Sequence, residues 1–517
     1  MRYLAGALRG DGKPWFILCV FAFVLSIGWR AHNLENRPLH ADEAVQAWLT
    51  LNLLRGEGYS YDPVDRHGPF LYYGSALYHR ILGGSAEDFD DRACRSFSLL
   101  AAIATLVIVW LGPKYTKLGS LTGGFALLLM AFETFTSVYH TYFIQEAWLA
   151  VFVWLFFLFV LRCVSVGRRS GDSRVWVGDK RSIVRPFGIG VIAGLAQTCK
   201  EISPLYLLLA LLSIWLSVRP RLSIPKLSTV ISILAGFAIP FAFLYSSFGN
   251  NARGIVDSFG AYGIQITRIS DESHSYPWWH YFELFSSFKN NGINWGQSLL
   301  LLFSLFGCVV AFSSKANQSG RALSVFTVSL FVIHLLIPYK TPWLLLTPAI
   351  GLVLLAGLAL DYLVCYRKNA IWVSLVLCFL ASYQSFGKSY LALVQYPGDV
   401  RNPYFYEQTP RGFMRILDRI GNLGANFDRP LNIAVVSEES AWPLPWYLRG
   451  SSTVGYFEKM PNDFQKWDLL VIDSQLGDAS AETMENRVVE YVAIRPNVLL
   501  QVLISESVWE ESLSPEK

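Results

Sequence analysis

The stretch "WFILCVFAFVLSIGWRAHNLENRPLHADEAVQAW" (15–48) joins an uncharged apolar run, ending at Trp29, to a segment carrying His40, Asp42 and Glu43. The first part has the length and composition of a membrane-crossing helix. It lacks a small-residue cleavage site before the charged stretch, so it reads as a retained first span and not as a cleaved signal peptide. The second part places two adjacent carboxylates where the chain leaves the bilayer. Ionisable groups at that depth are costly and commonly mark a cavity or a substrate path.

The rest of the chain fits this start. Of 517 residues, 53% are apolar, 15% aromatic and only 16% charged, against about 25% charge in soluble domains. One large soluble fold is excluded. The net charge of +4 gives no basis for a nucleic-acid surface. Apolar runs recur at 15–32, 96–112, 119–138, 142–161, 186–199, 202–218, 228–248, 297–313, 322–338, 343–363 and 370–388, about 11 spans in all. Short polar breaks divide the pairs at 119–161 and 186–218. The seven cysteines lie in or beside apolar runs with no CxxC spacing. They read as small apolar residues and not as a disulfide framework or thiolate site.

Loop charge sets the orientation. With the N-terminus in the cytoplasm, every short inside segment is basic: Arg2, Arg9 and Lys13, then Lys114 and Lys117, then 162–185, 219–226, 315–321 and 367–368. This is the positive-inside pattern. The expected location is therefore the cell (inner) membrane, multi-pass, with the N-terminus cytoplasmic. The loops at 33–95 and 249–296, and everything from about 391, face outward. The division is a transmembrane domain over 1–390 and an extracytoplasmic domain over 391–517. The tail carries "LNIAVVS" (431–437) and "WDLLVIDS" (467–474), which read as buried strands, and "AETMENRVVEYV", which reads as a helix. The fold class is thus an α-helical polytopic membrane protein with a small C-terminal α/β domain, which reads as a packing or docking module.

The outward segments concentrate polar groups: His40, Asp42 and Glu43; Arg66 and His67 in "DRHGPFLYY" (65–73); Arg92 and Arg95 before the second span; Glu133; Gln145 and Glu146; Lys200 in "QTCKE" (197–201); Trp278, Trp279 and His280 in "SYPWWHYF"; and Lys340 in "YKTPW" (339–343). Asp42 and Glu43 also suit the first turn of a helix, "DEAVQAWLTLNLL", lying on the membrane surface with Asp42 as its cap. The two readings are compatible if the cap holds a carboxylate at the water edge. Arg92 and Arg95 can snorkel or hold a phosphate bidentately. Lys200 and Lys340 are lone cations on outward ends, against the positive-inside trend. The aromatic loop is an interfacial belt by composition and also a candidate lid that stacks on sugar rings. His40 and His67 with Asp42 would be acceptable metal ligands, but no HxH or HExxH spacing selects one. No cofactor is assigned, and a divalent cation is the minority reading.

The ordered set "HADE", "RHGPFLYY" and an arginine before the second span resembles the GT-C superfamily of membrane glycosyltransferases, near the dolichyl-phosphate-mannose protein mannosyltransferase-like group. "YKTPW", "NPYFYEQTP" (402–410) and "WPLPWYLRG" (442–450) resemble a narrower subfamily described as associated with flippase activity in N-glycosylation. The superfamily implies a polyprenyl-phosphate sugar donor, an outward active site, and a first-loop acidic residue as base or acceptor-binding group. That role maps onto Asp42, with Glu43 adjacent. Where some relatives carry a second acidic residue or a lysine, this chain has Arg66 and His67, leaving Arg92, Arg95 or Lys340 to hold the donor phosphate. The partners implied are this donor, the bilayer, and a glycan, lipid or protein acceptor. Two other readings compete: a transporter of lipid-linked saccharides, which should show repeats and broken helices in matching halves, and a non-catalytic assembly subunit.

Overall fold

The structure is a computed structural model and describes residues 12–167, 183–219, 226–268, 275–313, 317–366, 370–425, 429–438, 441–451, 453–476, 479–496 and 498–513. Arg2, Arg9, Lys315 and the basic segments 168–182, 220–225 and 367–368 lie outside them. The chain divides into two compact units: Met1–Leu34 with Thr50–Gln395, and Glu35–Leu49 with Tyr396–Lys517. The segment bearing Asp42 therefore groups with the C-terminal part of the chain.

The first unit is helical. Among the described residues seven helices are long and apolar enough to cross a membrane, and four shorter ones, Ser120–Met130, Val184–Gln197, Ser203–Val218 and Ser298–Ser313, occupy the remaining expected spans. It is a multi-pass membrane protein. Helix Leu346–Tyr366 is buried from Leu346 through Leu360, as an all-round apolar helix must be. Helix Ser298–Ser313 packs against it at Gly307, where a Cβ would sit 2.0 Å from the Leu355 carbonyl oxygen. Only glycine allows the two backbones to meet there.

The third expected span, 119–138, is not one helix. It stops at Met130 and restarts as Thr134–Tyr139. The break is built from charge. Arg30, fully buried, donates to the carbonyls of Met130 (3.1 Å) and Ala131 (3.0 Å) and to Thr136 Oγ1 (3.0 Å). Glu133 accepts from the backbone N–H groups of Phe135 (3.0 Å) and Thr136 (2.7 Å), and from the Gln297 amide (2.9 Å). One side chain thus finishes the first helix segment and the other starts the next. Irregular backbone within a bilayer is tolerated only when its polar groups are satisfied in this way.

The second unit contains a five-stranded sheet, numbered after the short hairpin β1 (Lys289–Asn290) and β2 (Ile293–Asn294) of the first unit. β3 (Ile433–Val436), β4 (Val454–Phe457), β5 (Leu469–Asp473), β6 (Arg487–Arg495) and β7 (Val498–Ser505) lie in the order β4-β3-β5-β7-β6. β3 pairs in parallel with β4 and β5, and β7 pairs antiparallel with β5 and β6. β3 and β5, the strands expected from their apolar runs, are buried throughout. Helix Phe413–Ala425 covers one face through Phe413, Ile416, Ile420 and Leu423. The expected helix "AETMENRVVEYV" is corrected. It is one helical turn, Ala481–Met484, followed by β6. The β-branched run Val488, Val489 and Val492 gains more from pairing with β7 than from local helix bonds.

Candidate functional site

Helix Ala41–Arg55 starts in the second unit directly after His40, and its residues from Thr50 on belong to the first. Its N-cap is His40, not Asp42. The Asp42 backbone N–H donates to His40 Nδ1 at 3.1 Å, and the His40 backbone N–H donates to Glu43 Oε2 at 3.0 Å. This is a reciprocal capping box with histidine where serine or threonine is usual. It fixes Nδ1 as an acceptor, so the ring proton sits on Nε2. Glu43 is fully buried, with Arg37 Nη2 3.8 Å from its carboxylate. The Asp42 side chain remains 58% exposed, its oxygen 3.8 Å from His40 Nδ1. Among the described residues its carboxylate accepts no hydrogen bond. The helix is not a surface helix: Glu43, Ala44, Ala47, Leu51 and Leu54 are buried.

The first unit brings five of these segments into contact in two groups, the Glu146 segment among them. "RHGPF" packs against "QTCKE": the Phe70 N–H donates to the Thr198 carbonyl at 2.9 Å, and a Cβ on Gly68 would lie 2.2 Å from that same oxygen. His67 Nδ1 lies 2.9 Å from Glu201 Oε2, while the Tyr61 hydroxyl donates to Glu201 Oε1 at 3.4 Å. Burial works against the Glu201 carboxylate, but the His67 imidazole and a backbone N–H outweigh it and hold Glu201 below the ordinary range. Lys200 is not a lone cation; it forms an ion pair with Glu146. Burial favours the neutral amine, yet the Glu146 carboxylate keeps Lys200 above its usual value.

The aromatic loop belongs to the other group. Tyr276 N–H donates to the Pro338 carbonyl at 3.2 Å, and the Tyr281 hydroxyl donates to the Thr341 carbonyl at 2.8 Å. Trp278 and Trp279 are 63% and 45% exposed, as a belt or lid needs. His280 stacks on Tyr276 at 4.5 Å, and burial, helped by the Lys340 charge, pushes its pKa down to about 4. Lys340 is also not a lone cation. Its ammonium donates to the carbonyls of His334 (3.0 Å), Leu335 (3.0 Å) and Ile337 (2.5 Å), finishing helix Gln318–Leu336. An ammonium has three donors, so this cap uses all of them.

Of the arginines, Arg95 is fully buried and donates to the Leu34 carbonyl at 2.7 Å, whereas Arg92, three residues earlier, is exposed. Arg66 is half-buried and donates to the Asp65 carbonyl at 3.0 Å, apart from the His67–Glu201 pair. Glu201 is absent from the candidates chosen by sequence, although "QTCKE" was singled out. Its signal was adjacency to Lys200. Among the described residues no three His, Cys, Asp or Glu side chains gather to hold a metal.

The chain has the fold of the GT-C glycosyltransferases. It is similar to ArnT from Cupriavidus metallidurans, solved bound to undecaprenyl phosphate, with a TM-score of 0.63 and 13% identity over 95% of this chain and 98% of that one. It is also similar to the archaeal oligosaccharyltransferase AglB from Archaeoglobus fulgidus, solved with an inhibitory peptide and a dolichol-phosphate, with a TM-score of 0.59 and 12% identity over 93% and 73% of the two chains. No family model and no curated protein matches the sequence.

Proposed function

We propose that this protein is an inverting membrane glycosyltransferase that moves a sugar from a polyprenyl-phosphate donor to an extracytoplasmic acceptor, with Asp42 as its base. The observation that carries the reading is the split between two adjacent carboxylates: that of Glu43 is buried in the cap, and that of Asp42 is exposed and, among the described residues, accepts no hydrogen bond. The shared fold with ArnT, solved with a polyprenyl phosphate, supports the donor class.

In the reaction an acceptor hydroxyl or amide attacks the anomeric carbon. The bond from that carbon to the phosphate oxygen breaks and its electron pair stays with the phosphate. Asp42 takes the acceptor proton. Glu43 and His40 are positioning residues. The cation that meets the developing phosphate charge comes from the set Arg92, Arg95 and Lys340, of which Arg95 also donates to the Leu34 carbonyl and Lys340 to three carbonyls. The N-terminus faces the cytoplasm, and the Asp42 segment and residues 391–517 face outward.

The test uses purified protein in lipid with labelled polyprenyl-phosphate hexoses and cell-envelope extract as acceptor. Sugar release by the wild type and not by Asp42→Asn is expected. No release from any donor, with both forms able to rescue a knockout equally, overturns the reading in favour of a transporter or a scaffold.

A further inference from the structure

A cleft of about 740 Å³ opens where the Lys13 end of helix Lys13–His32 meets the Lys114 end of helix Asp91–Tyr115. It lies at the helix ends away from His32 and Arg92, so it is separate from the outward segments. Its walls combine two ammonium groups with apolar surface: Lys13 and Lys114 beside Phe16, Ile17, Trp110 and Leu111. Phe16 is 59% and Ile17 64% exposed, and the Phe16 ring leans on Trp110 at 5.7 Å between centroids. Among the described residues no carboxylate lines the cleft, and Asp361 on helix Leu346–Tyr366 is held elsewhere. It accepts from Thr122 Oγ1 at 2.7 Å.

We propose that this cleft binds an anionic phospholipid of the adjoining leaflet. Two cations at a membrane surface attract anionic headgroups, and a cleft of this size seats a phosphate together with the first part of an acyl chain. The exposed apolar wall decides the source. A free phosphate gains nothing from Phe16 and Ile17, whereas an acyl chain covers them. The chain spacing is right: Lys13 stands three and four residues, about one helical turn, from Phe16 and Ile17, and Lys114 stands the same way from Leu111 and Trp110, so headgroup and tail meet the same two helix ends. A zwitterionic lipid offers its phosphate beside its own ammonium, so two lysines favour the headgroup with net negative charge. The site does not depend on the proposed transfer reaction.

The test places a photoreactive benzoylphenylalanine at Ile17 in the full chain, in bilayers of equal phosphatidylglycerol and phosphatidylcholine with matched acyl chains, and identifies adducts by mass spectrometry. Phosphatidylglycerol adducts should exceed phosphatidylcholine adducts by about fivefold or more. Lys13→Gln with Lys114→Gln should bring the ratio to one, and Lys13→Arg with Lys114→Arg should restore it. Equal adducts in the wild type, or cross-links to the chain's own residues 1–11, overturn the proposal. Soluble glycerol phosphate should leave the ratio unchanged, and loss of the adduct to it assigns the site to a free anion instead. The wild-type ratio is read without any variant, so a double variant that fails to fold does not shelter the idea.

Discussion

The Asp42 backbone N–H donates to the imidazole of His40 at 3.1 Å, while the Asp42 carboxylate is left to solvent. The residue's main chain is held by the cap, and its side chain is not consumed by it. A base needs both properties: a fixed position and an available lone pair. Asp42→Asn should therefore lower kcat by ~10²–10⁴-fold. Its stability should change by no more than about 1 kcal/mol, the usual worth of a first-turn carboxylate. Steady-state kinetics and a thermal melt on the same preparation check both.

Glu43 should behave in the opposite way. It accepts the His40 N–H inside the protein, so Glu43→Ala should cost about 1–3 kcal/mol through an orphaned buried donor. Glu43→Gln keeps an acceptor and should recover most of that loss. If both variants are as stable as wild type but inactive, the assignment of base and positioning residue is reversed.

Gly68→Ala should separate "RHGPF" from "QTCKE". The added Cβ would meet the Thr198 carbonyl oxygen at 2.2 Å, and backbone cannot rotate away as a side chain can. Overpacking of this kind costs about 1–3 kcal/mol. The accompanying sign is weakened coupling in a double-mutant cycle between His67 and Glu201, which should be clear in the glycine protein and nearly zero in Gly68→Ala.

Glu201 gives a pH dependence with a definite sign. Its pKa is lower folded than unfolded. Its contribution to stability is therefore complete above the ordinary carboxylate range and is lost as pH falls through the folded value. Thermal midpoints should fall more steeply below pH ~4.5 in wild type than in Glu201→Gln. Parallel curves would remove the His67–Glu201 pair from the stability of this region.

The apolar runs made the helical architecture legible because their signal is local, and β3 and β5 were legible for the same reason. What lay beyond reach was partnership. Arg30 looks like the charged end of a span, and only the fold shows that it reaches Met130 and Ala131, a hundred residues on. Lys200 and Lys340 look alike in sequence as outward lysines. One meets a carboxylate and the other three carbonyls. β6 was mistaken for a helix because "VVEYV" acquires its strand identity from β7, which no local period reports. The helix after Asp42 follows from local composition, but its N-cap is His40, a residue type that seldom caps and so gives no signal in the sequence.

Arg30 also orders the biogenesis of the protein. The first helix leaves the ribosome long before Met130 is translated, yet it carries the guanidinium that terminates helix Ser120–Met130. Without that group beside them, the Met130 and Ala131 carbonyls lack the donor that the folded protein gives them. The third hydrophobic segment therefore cannot settle as an independent unit after insertion. It must wait beside the first, and a chain that loses its first segment should be handed to membrane quality control even though every downstream segment can still insert.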